Sequence, residues 1–267
     1  MSLLILRLRR SPPMRVAAAL LLLAWGGHIG QAAAQPAGTP ASAAAPVAAC
    51  DVAPPPNSLW SLAQCCAASL ASDPGCRRYD AADKYIILKD NSPRKPAAYL
   101  IIPTLRVTGI DDPQIFAPPV VDFWQYGWQQ AQVFIKQPAA NTGLAINSVR
   151  GRTQNQLHIH IACVLPAVAH TLLSHAGEIG PDPLHPLALA LAPAGHLYRV
   201  ITATALAGAA SPFWLVAAMP DAAARMGNQS IAVVGSTTPG RFYVLDTTAG
   251  GDNPGAAEEL LDQTCRG

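Results

Sequence analysis

The clearest periodic signal lies in the middle of the chain, where Val121, Trp124, Trp128, Ala131 and Ile135 recur at spacings of three and four residues. That spacing predicts a helix with one apolar face, on which the two tryptophans pack against a sheet rather than hold a ligand. On either side the pattern changes to short β-branched and aromatic runs bounded by turn residues. Tyr85-Ile86-Ile87-Leu88 and Tyr99-Leu100-Ile101-Ile102 flank Asn91-Ser92-Pro93 and read as an antiparallel pair. Leu144 to Ile146 and Leu157 to Leu165 read as further strands, as does Tyr198 to Ile201. Ile231-Ala232-Val233-Val234 and Phe242-Tyr243-Val244-Leu245 flank Thr238-Pro239-Gly240, a hairpin signal.

A short Cys-rich helix is expected over Leu59 to Leu70. Ser211 to Met219 is apolar without a decisive period, and His170 to Gly195 is Pro-rich and reads as an excursion with short helical pieces. Strands mixed with a few helices predict an α+β fold: an antiparallel sheet with one packed helix, the strand at 157–165 central, and a smaller αβ portion after His170. Strand, helix and hairpin occur in both halves, the order a degenerate internal duplication would leave, although no shared residues mark one.

The N-terminus is of a different kind. Arg7, Arg9, Arg10 and Arg15 precede the apolar run Val16 to Trp25, and Ala32-Ala33-Ala34 follows. A basic stretch, a short apolar core and small residues predict an export signal over residues 1–34, with an uncleaved single-pass anchor as the other reading. The globular part is expected outside the cytoplasm in either case, on the periplasmic side of an inner membrane. Residues 35–58, rich in Ala, Pro, Ser and Gly, read as a tether, and 59–267 as the folded domain.

Charge adds a restriction. The formal net charge of the 267-residue chain is +2, and the four leader arginines more than account for it, so the exported part is slightly acidic. That argues against a nucleic-acid partner. Cys50, Cys65, Cys66, Cys76, Cys163 and Cys265 all lie beyond residue 34, and six cysteines in an oxidising compartment predict disulfides, with the pairing open.

The candidate chemistry is concentrated in one segment. In Leu157-His158-Ile159-His160-Ile161 the apolar residues alternate with polar ones, which places Gln154, Gln156, His158 and His160 on one face of a strand. Arg150-Gly151-Arg152-Thr153 precedes it, with Asn147 and Ser148 at the end of the strand before. Two guanidinium groups, a glycine and a hydroxyl suit a phosphate or diphosphate. Three readings compete for the histidines: two ligands of a metal site that lacks a third nearby, structural strand histidines, or a nucleophile that attacks phosphorus and forms a phosphoramidate.

The run Asn147 to Ile161, and above all Gly151-Arg152-Thr153-Gln154-Asn155 followed by His158-Ile159-His160-Ile161, resembles the histidine-triad superfamily and, more closely, the bacterial CDP-diacylglycerol diphosphatases. Tyr85-Ile86-Ile87-Leu88-Lys89-Asp90, Tyr99-Leu100-Ile101-Ile102-Pro103-Thr104 and Ser211-Pro212-Phe213 are similar to the same family. The resemblance implies hydrolysis of CDP-diacylglycerol to CMP and phosphatidate in phospholipid metabolism at a membrane surface, with no metal or cofactor. His158 then stands as the nucleophile, His160 as the third histidine, and Thr153 on the leaving-group side. Asn147, Ser148, Arg150, Arg152, Gln154 and Gln156 are expected to bind substrate. Gln156 stands where the first histidine of the triad is expected, which implies that a histidine there would be tolerated. The alternatives are a hydrolase or transferase on another nucleotide diphosphate conjugate, or a non-catalytic exported module that binds a lipid or other ligand.

Overall fold

The structure, a computed structural model, describes residues 50–266. The proposed signal or anchor, residues 1–34, lies outside the described residues. Among those described, no helix is long and apolar enough to cross a membrane.

The elements follow the sequence pattern closely. Helix α1 (Ser58–Ala68) leads to β1 (Cys76–Asp80), β2 (Tyr85–Lys89) and β3 (Tyr99–Pro103). Helix α2 (Phe123–Phe134) is followed by β4 (Thr142–Ile146), β5 (Ile159–Val164) and α3 (Pro166–Ser174). Then come β6 (Leu187–Leu191), β7 (His196–Ala203), α4 (Pro212–Ala217), β8 (Gln229–Gly235), β9 (Phe242–Thr248) and the two-residue β10 (Leu261–Asp262). All strands join one antiparallel sheet in the order β1-β2-β3-β5-β4-β8-β9-β7-β6, with β10 added beside the far end of β5.

That order contains an internal repeat. The strands β2-β3-β5-β4 and β6-β7-β9-β8 are arranged alike, each set carries a helix between its second and third strands in chain order, and the sets meet at the β4–β8 pairing. The αβ portion expected after His170 completes the same sheet and is the topological repeat of the first half. The chemistry is not repeated: β9 occupies the place of β5 but runs Phe242-Tyr243-Val244-Leu245, buried throughout.

The sheet is covered on both faces. On one, α2 and α4 pack over Ile101, Leu144, Ile159, Ile161, Val233 and Val244. Trp124 of α2 is fully buried and meets Phe213 of α4 edge to face, with ring centres 5.5 Å apart, so the sequence-predicted tryptophan face joins the two halves of the core. On the other face, α3 contributes Val168 and Leu172 to the core under β8 and β9, and α1 contributes Ala63 and Cys66 to a smaller cluster on β2 and β3.

Disulfides fix the ends. Cys50–Cys65 and Cys66–Cys76 staple the N-terminal approach and β1 to α1, and Cys163–Cys265 ties the C-terminal segment to β5. The folded part therefore begins before Leu59. Cys50 is bridged, the Pro56 carbonyl accepts from Asn155 N at 2.7 Å, and Asn57 Oδ1 accepts from Arg106 at 2.7 Å. The Pro-rich composition that reads as a tether thus hides its last residues' covalent and hydrogen-bonded anchoring.

Candidate functional site

Strand β5 enters the sheet with His158 and His160 on the face opposite α2. The polar segment 147–158 leaves β4, crosses the C-terminal segment and returns. Its path requires close backbone contact: Ser148 N donates to Gly255 O at 2.8 Å, and a Cβ on Gly151 would come within 2.6 Å of that same carbonyl. A glycine at 151 is thus a packing requirement of this crossing.

The histidines open onto a cleft of about 540 Å³, including its mouth. It lies between α1, the β2–β3 connection and the segment 147–154. Its polar lining is Asp90, Lys95, Asn147, Thr153, Gln154, His158, His160 and Glu258, with Leu59 and Leu100 as its apolar wall. Among the described residues no group of three His, Cys, Asp or Glu side chains has metal-site geometry.

The tautomer of His158 follows from one bond. Its Nδ1 lies 2.8 Å from the carbonyl oxygen of Gln156, and a carbonyl can only accept, so Nδ1 carries the hydrogen and Nε2 keeps its lone pair. Burial is the largest influence on the ring and holds its pKa below the ordinary imidazole value. The Gln156 bond and Glu258 pull the other way, while Arg152 and Lys95 add to the depression. The result is a neutral imidazole with its lone pair on Nε2.

A consequence can be measured. With neutral His158 as the expected nucleophile and its pKa lowered, activity should persist as pH falls below about 6.5, the ordinary imidazole value, and be lost only through a lower pKa. In a pH profile of kcat/KM, the acid limb is expected below that value. A limb at or above it would contradict a buried neutral His158.

His160 is also buried, and its ring centre lies 5.1 Å from that of His158. Its Nδ1 is 3.2 Å from Glu258 Oε2, but neither ring nitrogen has an aligned hydrogen-bond partner. Burial dominates and lowers its pKa, against the opposing pull of Glu258. Glu258 itself is pushed up by burial, yet His160, Lys95 and the Asn147 amide together bring it below the usual carboxylate range. Lys95 Nζ, 3.6 Å from Glu258 Oε2, supplies the charge that offsets the carboxylate.

The remaining sequence candidates divide. Thr153 and Gln154 line the cleft, as does Asn147, whose amide pairs with Glu258. Gln154 Oε1 also accepts from Ser58 Oγ and Leu59 N, joining the segment to the start of α1. Four candidates are engaged elsewhere. Ser148 Oγ donates to Pro254 O and accepts from Gly151 N, holding the crossing together. Arg150 donates to Gly251 O, and Arg152 is paired with Asp111. Gln156 is fully buried and donates to the carbonyls of Pro103 and Leu105 at 3.0 and 2.8 Å. Neither arginine lines the cleft as the structure stands, Arg150 being bonded to a carbonyl and Arg152 paired with a carboxylate, and Lys95 is the cationic side chain that lines it.

Lys95, Asp90 and Glu258 are the polar lining side chains that the sequence reading did not assign. Lys95 sits in a connection recognised only as a turn, and Glu258 arrives from the C-terminal end on the single turn Ala257–Leu260. Only Lys89-Asp90 lay in a stretch already set apart.

A family model described as CDP-diacylglycerol pyrophosphatase matches residues 54–267. A CDP-diacylglycerol pyrophosphatase of Yersinia pestis is 35% identical over 200 residues, covering 72% of this chain and 75% of the relative.

Proposed function

The chain belongs to the CDP-diacylglycerol pyrophosphatase family, and from that premise we propose that it hydrolyses CDP-diacylglycerol to CMP and phosphatidate through a cytidylyl group carried on His158. The observation that carries the covalent step is the Gln156 carbonyl bond, which leaves Nε2 of a neutral imidazole directed to chemistry rather than to structure.

In the first half-reaction Nε2 attacks the nucleotide phosphorus. The N–P bond forms, the P–O bond to the bridging oxygen breaks, and phosphatidate leaves with that electron pair. Lys95 offsets the diphosphate charge, and Thr153, Gln154 and Asn147 orient it from the cleft wall. Water then attacks the same phosphorus, the N–P bond breaks, and CMP departs. His158 retains the Nδ1 hydrogen throughout. The lipid substrate, and the basic and apolar pattern of residues 1–34 that reads as an export signal or anchor, support work at the outer face of an inner membrane, in phospholipid turnover.

The test is a rapid acid- or base-quench with substrate labelled in the cytidine phosphate. Label should appear transiently on His158, identified by peptide mapping, while phosphatidate and CMP are the products. Products formed without any protein-bound label at the shortest times would point to direct attack by water. Release of CDP and diacylglycerol instead would point to cleavage of the phosphoester bond on the lipid side.

A further inference from the structure

Glu258 and His160 form a pair that the nucleophile does not need. His160 is nine-tenths buried, lines the cleft beside His158, and has no aligned partner on either ring nitrogen. Glu258 is held by a set of contacts that serve its orientation. Its Oε1 accepts from Asn147 Nδ2 at 3.2 Å, its backbone N donates to Asn147 Oδ1 at 3.3 Å, and Gln263 Nε2 donates to Oε2 at 3.3 Å. The segment bearing it is fastened to the catalytic strand by β10 and by Cys163–Cys265. With Nδ1 facing a carboxylate, the His160 lone pair lies on Nε2.

Resting on the covalent reading above, we propose that His160 is the base that takes the proton from the water hydrolysing cytidylyl-His158, and that Glu258 is the positioning residue that orients it. Water oxygen bonds to phosphorus as its proton passes to His160 Nε2. The His158 Nε2–P bond breaks and the electron pair returns to that nitrogen. The imidazolium formed on His160 is stabilised by Glu258 and loses its proton to solvent when CMP leaves. The pair acts on the second half-reaction, because phosphatidate is a stable phosphate leaving group that requires no base.

The test is rapid-quench kinetics of Glu258→Gln with CDP-diacylglycerol labelled in the cytidine phosphate. Phosphatidate should appear in a burst equal to the enzyme present. Label should accumulate on His158, and CMP release should slow about a hundredfold. Glu258→Asp should recover part of the CMP rate. His160→Asn should trap the same intermediate without altering the turn that bears Glu258, so the test survives if Glu258→Gln fails to fold. Equal slowing of phosphatidate and CMP with no trapped label, or no slowing, overturns the dyad while the covalent reading stands. No label on the wild-type protein, together with an active His158→Ala variant, overturns both.

Discussion

His158→Ala should lower kcat at least a thousandfold, equivalent to about 4 kcal/mol of transition-state stabilisation. Alanine removes the nitrogen proposed to form the covalent bond, while the neighbouring groups keep their own placements, His160 beside Glu258 and Lys95 as a counter-charge between Asp90 and Glu258. The fold should survive. His158 borders the cleft, so water can reach the vacated space and satisfy the Gln156 carbonyl, and Ile159 and Ile161 of β5 face the other side of the sheet. Circular dichroism and a thermal melt separate this result from misfolding. Free imidazole added to the variant should restore part of the turnover by occupying the vacated position, which a purely structural histidine would not allow. A variant retaining a tenth of wild-type kcat would remove His158 from the nucleophile role.

The part of this site that lies within one strand was legible before any coordinates, because period-two alternation alone puts His158 and His160 on one face. The parts that depend on partners were not. Arg150 and Arg152 carry the charge a diphosphate calls for, but only the fold brings Gly251 and Asp111 to them. Glu258 and Lys95 meet only because β10 returns beside β5 and the β2–β3 connection bends over the same strand. The same distinction holds for the scaffold. Strands rich in Ile, Val and Tyr declared themselves, whereas β6, Leu187-Ala188-Leu189-Ala190-Leu191, alternates correctly but has no β-branched residue and lies in a Pro-rich stretch. Strand β1 went unread because Arg77, Arg78 and Tyr79 are exposed on a bulged edge. The internal repeat was visible as an order of elements, and only strand pairing across β4 and β8 turned that order into a topology.

Gln156 is where the family pattern and the packing disagree most sharply, and its replacement should cost more stability than the resemblance alone implies. The side chain occupies the position of the first histidine, yet it does not line the cleft. Its amide nitrogen gives both hydrogens to the carbonyls of Pro103 and Leu105, closing the end of β3 against the start of β5. Gln156→Leu keeps a similar volume and leaves both carbonyls without that donor in a fully buried place, at about 1–3 kcal/mol each. A total loss of about 3–4 kcal/mol is expected, read as a fall in the urea midpoint at unchanged slope. Gln156→His should lose roughly half as much, since a neutral imidazole has one N–H to give and can satisfy only one of the two carbonyls. Activity should fall with stability, because the backbone carbonyl of the same residue fixes the His158 tautomer. Any shift of that carbonyl releases Nδ1 and lets the hydrogen move to Nε2, where it blocks attack. A Gln156→His variant as stable and as active as the wild type would show that the clamp is dispensable and that the position is a triad site after all.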